Sequence, residues 1–203
     1  MFWGGFLNSH AISFLPFLKL EDLSFPFHRP SVLDLKMGTQ TYDEEATPEK
    51  VAAEMAKYPP QRELGFRFTG MRVHQVDTGV AREFDRFYGR DLHAGNAIEG
   101  FRNFLQNGQG VRYELVPALL AGLALILDWF ERQRAYRFYA ASLLLVYEGD
   151  PTLPAKVTLR LIDFAHATDA AADGRADDGF IHGLNQTIAL LRRLQGGETP
   201  VEV

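Results

Sequence analysis

The chain has 203 residues, 46% of them hydrophobic and 23% charged, enough apolar material for one globular core and too little charge excess for a disordered chain. Its formal net charge of −5 argues against nucleic-acid binding driven by bulk electrostatics, so an anionic ligand has to meet local positive charge. There is no cysteine, which excludes a disulfide framework and a thiolate metal site.

The first ten residues lack a basic n-region and polar residues interrupt their apolar stretch, so no signal peptide is expected. Residues 12–20 read as an extended apolar segment, with Pro16 favouring an edge or irregular strand. Residues 32–37 form a predicted buried strand ended by Gly38. A period of two puts Asp34 and Lys36 on one face and Leu33, Leu35 and Met37 on the other. Thr47-Pro48-Glu49 is a helix start, with Thr47 as cap, Pro48 in the first turn and Glu49 near the positive end of the dipole. This helix should reach about Tyr58. It carries Lys50, Glu54 and Lys57 on one stripe and Val51, Met55 and Tyr58 on the next.

Residues 66–76 resemble a strand bent at Gly70, and a helix over 94–106 stops at Asn107-Gly108. Another helix covers 117–134. Its apolar run, residues 115–127, has 13 residues, short of the roughly 18 that span a bilayer, and reads as a buried core helix. Residues 136–147 and 156–164 read as a hairpin joined by Glu148-Gly149-Asp150-Pro151, with Asp163 at its exit. Residues 179–194 have helical spacing through Ile181, Leu184, Ile188 and Leu191, and Gly196-Gly197 ends them.

Taken one at a time, these features have ordinary alternatives. Asp34 and Lys36 suit a structural ion pair as well as a site. Asp163 suits a turn cap as well as a ligand for hard Mg²⁺. The lysine stripe, Arg67 and Arg72 supply positive charge but also suit a solvated face. The six histidines form no His-x-x-x-His pair, which argues against zinc, and no serine sits in a Gly-x-Ser-x-Gly elbow.

The order of Pro30-x-x-x-Asp34-x-Lys36-x-Gly38, Ser142-Leu143-Leu144, Ile162-Asp163-Phe164 and Gly179-Phe180-x-x-Gly183-Leu184 resembles the inositol polyphosphate kinase family. Glu21-Asp22-Leu23, Tyr88-Gly89-Arg90, Gly100-Phe101-Arg102-Asn103-Phe104 and Phe138-Tyr139-Ala140 extend the likeness over nearly everything after about Leu20. Tyr58-Pro59, Leu64-Gly65-Phe66 and Gly70-Met71-Arg72-Val73 look closest to the multikinase branch. The run from Leu33 to Thr39 also suits inositol hexakisphosphate kinases.

The resemblance implies an α+β fold, a C-terminal lobe with an antiparallel sheet and helices over residues 21–197. Residues 1–20 would be a remnant of the N-terminal ATP-binding lobe and 198–203 a tail. It implies ATP-dependent transfer of a phosphoryl group to a hydroxyl of an inositol polyphosphate, with Mg²⁺. The alternative is a truncated, non-catalytic inositol-phosphate-binding module. By the same resemblance Glu21 and Leu23 form the hinge to adenine and Asp34 accepts from the ribose. Lys36 bridges transferred phosphate and substrate. Asp163 holds Mg²⁺ with support from Ser142, while Lys50, Lys57, Arg72 and His166 face substrate phosphates. The expected partners are ATP and an inositol polyphosphate, with a phosphoinositide lipid as a further substrate. Nucleic acid and stable membrane insertion are not expected, and the chain is expected to be a monomer in the cytoplasm or nucleus.

Three departures from the family pattern stand out. Only 20 residues precede Glu21, where the family carries a lobe with an ATP-clamping lysine, and Lys19 lies too close to the hinge to take that role. Ala53 and Glu54 replace glutamines of multikinase relatives, and the Glu54 carboxylate would repel a polyphosphate unless a lysine pairs with it. Ala141 replaces the first serine of a Ser-Ser-Leu-Leu run.

Overall fold

The computed structural model describes residues 20–170 and 174–197. Lys19, most of the extended segment predicted at 12–20 and the tail at 198–203 lie outside the described residues. In chain order the elements are β1 (Pro30–Met37), α1 (Pro48–Lys57), α2 (Gln61–Leu64), β2 (Phe66–His74), β3 (Ala81–Phe84), α3 (Arg86–Asp91) and α4 (Ala97–Leu105). A 3-10 turn (Tyr113–Leu115), α5 (Val116–Arg132), β4 (Tyr136–Phe138), β5 (Ser142–Glu148), β6 (Val157–Ile162), β7 (Ala167–Asp169) and α6 (Asp178–Gln195) follow. The fold is α+β.

Five strands pair antiparallel in the order β3-β2-β1-β5-β6, and β4 pairs with β7 in a second, two-stranded sheet. Strict alternation in the central strand decides which face is covered. Leu33, Leu35 and Met37 are fully buried, while Val32, Asp34 and Lys36 are half-buried on the opposite side. Beneath the buried side α4 and α6 supply Phe101, Phe104, Phe180, Leu184 and Leu191, and α5 adds Leu119, Leu123 and Phe130.

The elements at 32–37, 48–58 and 179–194 form where their patterns predict them. The Thr47 side chain accepts from the Lys50 amide at 3.3 Å, as a helix cap should. The bend expected at Gly70 is a bulge. Gly70 pairs with Asp34 and Phe68 with Leu35, so Thr69 is the extra residue, and its hydroxyl donates to the Asp34 carbonyl at 3.0 Å.

Three predicted elements are corrected. The helix at 94–106 starts only at Ala97, because the Asn96 side chain accepts from the His93 amide and holds a turn there. The strand at 136–147 is broken between β4 and β5, where Ala140 adopts a left-handed conformation with φ 55°. The second hairpin strand is β6, shorter at both ends than 156–164. The short elements α2, β3, α3 and β7 are not announced by the sequence patterns.

The helix predicted at 117–134 forms, but as a core helix it is one-sided. It buries Val116, Leu119, Leu123 and Phe130 and leaves Leu125 74% exposed. The span Tyr113–Arg132 has the length and composition to cross a membrane, although its longest apolar run alone is short for one.

Candidate functional site

The open face of the sheet gathers the chemistry. Cross-strand partners share a face, and the register runs Lys36 to Ser142 to Ile162 across β1, β5 and β6. Asp163 is the next residue after Ile162, exposed and held at φ 64°, in the left-handed region that aspartate enters more readily than most side chains. Strand pairing therefore sets Lys36 beside Ser142, and Asp163 follows at the end of the neighbouring strand.

Lys36 is half-buried, and its ammonium donates to the Ala140 carbonyl at 2.7 Å. That carbonyl belongs to the residue whose left-handed backbone separates β4 from β5. Ser142 is fully buried, and its hydroxyl has no hydrogen-bond partner among the described residues. The same holds for Oδ1 of Asp34, two residues before Lys36 on the same face. Buried polar atoms are nearly always paired, so two orphaned oxygens on one face suit a ligand that brings donors or a cation.

Among the described residues no group of three or more His, Asp or Glu side chains converges on a metal position. One carboxylate and one hydroxyl fit a hard divalent ion that reaches the site with phosphate oxygens, as Mg²⁺ commonly does. They do not fit a metal held by protein ligands alone.

The expected substrate cations divide into two groups. Lys50 of α1 and His166, which follows β6, both lie 3.5 Å from the same carboxylate oxygen of Asp43, so this one oxygen joins them. Lys57 pairs with Glu54, which also accepts from the Thr41 hydroxyl at 2.9 Å. Burial raises the Glu54 carboxyl, but Lys57 and Thr41 outweigh it and hold it below its ordinary value. The acid that threatened to repel a polyphosphate is thus paired within the chain.

Arg72 stands apart. It pairs with Val32 rather than with Lys36, lies 3.5 Å from Glu83, and lines a shallow cleft with Asp34, Gly70 and Phe84. The structure places it on the Asp34 side of the sheet. The cross-strand partner of Lys36 is Arg67.

The segment expected to act as a hinge is anchored by a residue outside the predicted site. Glu21 is exposed, Leu23 is half-buried, and Asp22 closes the turn by accepting from the Ser24 amide and hydroxyl at 2.9 and 2.7 Å. Glu148, only 4% exposed at the end of β5, accepts from the amides of His28 (2.7 Å), Arg29 (2.9 Å) and Asp150 (3.0 Å). The sequence signal for it was the turn at 148–151, which had been read only as a connector.

Burial raises the Glu148 carboxyl, but the three amides outweigh it and hold it below its ordinary value. A depressed folded value means that the stabilisation is present above the unfolded value and is lost as pH falls through the folded one. Glu148→Gln is expected to cost about 2 kcal/mol near neutral pH, because a charged acceptor for buried amides is replaced by a weaker one. Urea denaturation of both proteins at pH 7 and below pH 4 should show the difference shrinking in acid. A difference that does not depend on pH would contradict it.

Comparison with known proteins gives the same arrangement a context. The family model for inositol polyphosphate kinase matches residues 17–192. Mouse inositol hexakisphosphate kinase 3 is 36% identical over 208 aligned residues, covering 90% of this chain and 52% of that protein. Human inositol polyphosphate multikinase is 35% identical over 184, covering 90% and 43%. The chain thus spans about half the length of these curated relatives.

Among solved structures, an inositol phosphate multikinase superposes with a TM-score of 0.79 at 29% identity, over 87% of this chain and 85% of that one. A multikinase from S. cerevisiae in complex with ADP and Mn²⁺ superposes at 0.75, covering 85% and 81%; at 22% identity it speaks for the fold alone. A model match over most of the chain, the shared fold and the order of the motifs agree: this chain belongs to the inositol polyphosphate kinase family.

Proposed function

We propose that this chain transfers the γ-phosphoryl group of ATP to a hydroxyl of an inositol polyphosphate. The observation that carries the reading is the cross-strand row of Lys36, Ser142 and Ile162, which ends one residue before Asp163, with the orphaned oxygens of Ser142 and Asp34 on the same face. Phosphoryl transfer asks a protein mainly for alignment and neutralisation of charge, which such a row supplies.

Asp163 and Ser142 would hold the divalent ion, which when bound neutralises charge on the transferring phosphoryl group. Asp34 accepts from the ribose, and backbone groups at Glu21 and Leu23 face the adenine. Lys36, fixed by Ala140, meets phosphate oxygen between donor and acceptor. Lys50 and His166, which share one oxygen of Asp43, exchange that carboxylate for a substrate phosphate, and Lys57 extends the basic side along α1. Arg72 contacts substrate only when the ligand reaches toward the Asp34 side.

The test is incubation of the purified chain with ATP, Mg²⁺ and a panel of inositol trisphosphates, inositol hexakisphosphate and phosphatidylinositol bisphosphate in vesicles. Phosphorylated trisphosphates would mark multikinase-like selectivity, and an inositol pyrophosphate would mark the hexakisphosphate kinase type. Consumption of ATP without any phosphorylated inositol product would rule out the reading.

A further inference from the structure

We infer that Arg67 is a phosphate-binding residue of the acceptor site, seated beside Lys36 on the open face of the sheet. The inference rests on the kinase reading and adds a residue to it.

Arg67 is half-buried on β2, directly across from Lys36 on β1. Among the described residues no oxygen accepts a hydrogen bond from its guanidinium and no carboxylate forms an ion pair with it. The Tyr58 ring lies 5.9 Å from the guanidinium carbon. A guanidinium carries five N–H donors in a rigid fork, and with no protein acceptor these are left to water around a half-buried side chain.

The neighbouring acids do not relieve it. Glu54 lies close enough to act through its charge, but its two oxygens are taken by Lys57 and the Thr41 hydroxyl. Asp34 is also near, yet its buried Oδ1 remains unpaired rather than bonded to Arg67. Burial pulls the Arg67 guanidinium below its ordinary value, and Arg90 adds repulsion against the opposing pull of Glu54. Two cations side by side on a strand pair, one of them without an acceptor, form a seat that an anion completes.

The shape of the seat selects the anion. A planar fork meets two oxygens of one phosphate at once, and the Lys36 ammonium beside it adds a point charge. A phosphomonoester on an inositol ring, lying between the sheet and the C-terminal end of α1, satisfies both. The ordinary alternative is that Arg67 only extends its stem along the sheet and keeps its head in water.

The two possibilities differ in the sign of an effect on stability. An arginine kept for its ligand is a liability in the free protein, so Arg67→Met is expected to raise the melting temperature without ligand by roughly 2–4 °C. The same substitution should weaken binding of inositol hexakisphosphate or inositol trisphosphate about tenfold by calorimetry, with Arg67→Lys intermediate because it keeps charge but loses the fork. Vesicles carrying phosphatidylinositol bisphosphate, measured in parallel, tell a free headgroup from a lipid-borne one.

Wild-type binding that Arg67→Met leaves unchanged would overturn the inference while the kinase reading stands. So would a lowered melting temperature accompanying the lost binding, since that is the mark of a structural arginine. A wild-type chain that binds none of the probes would remove the kinase reading itself and this inference with it.

Discussion

Asp163→Asn is expected to lower turnover of any inositol phosphate substrate by roughly 10²–10³-fold while leaving the fold intact. Asp163 sits at φ 64°, where asparagine is as comfortable as aspartate, so the substitution removes charge without disturbing the backbone after β6. What is lost is the anionic oxygen just beyond the end of β6, and with it the pull on a divalent ion. The measurement is steady-state kinetics across a Mg²⁺ titration, with melting temperature as the control for folding. The variant should need more Mg²⁺ and still fall short at saturation. Asp163→Gly keeps the backbone freedom but not the carboxylate and should be equally inactive. Turnover within tenfold of wild type for asparagine would mean that Asp163 is a turn residue and nothing more.

The largest expected effect on stability lies under the sheet. A Cβ added at Gly183 would stand 2.1 Å from the Gly65 carbonyl oxygen and 3.1 Å from Cε of Met37. The obstacle is backbone, so it cannot swing aside. Gly65 in turn caps α2 in a left-handed conformation, and its carbonyl accepts from the Gly38 amide at 2.8 Å, immediately after β1. Gly183→Ala therefore has to push α6 off the turn or break the bond that ends the strand carrying Asp34 and Lys36. A cost of about 3 kcal/mol is expected, a fall in melting temperature of roughly 6–12 °C for a chain of this size. Gly110→Ala, where an added Cβ meets nothing within 4 Å, should change stability by less than about 0.5 kcal/mol. Equal melting temperatures for the two variants would contradict the close packing of α6 on Gly65.

How far the sequence could be read follows from the range of each signal. The face of β1 was legible because alternation is a local pattern, and burial of one whole face enforces it. The start of α1 was legible because Thr47 and Pro48 are caps by their own chemistry. β3 and α3 were missed because they are short. The Asp85 side chain, which accepts from the Phe87 and Tyr88 amides, was the one cue to the α3 start. The break at Ala140 carried no glycine to announce it, since the left-handed turn is imposed by the surrounding fold.

The site was legible in its residue types and hidden in its pairings. Asp34, Lys36, Ser142 and Asp163 came from ordered motifs, but nothing local says that Lys36 faces Arg67 rather than Arg72. A bulge at Thr69 decides that, by shifting the register between Gly70 and Phe68. Asp43 was passed over for the same reason. Its role comes from Lys50 and His166, 116 positions apart in the sequence, arriving at one carboxylate.

The bond from Lys36 to the Ala140 carbonyl sets a count. An ammonium has three hydrogens to give, and one is spent on a carbonyl 2.7 Å away in the polypeptide itself. Two remain, which on the proposed kinase reading is enough for one oxygen on each side of the transfer and no more. The kink between β4 and β5 thereby works as a stop on the valence of the lysine, tethering it where a free side chain would sweep a cone. An arginine at this position would bring five hydrogens to the same place and crowd the seat with donors the reaction has no use for.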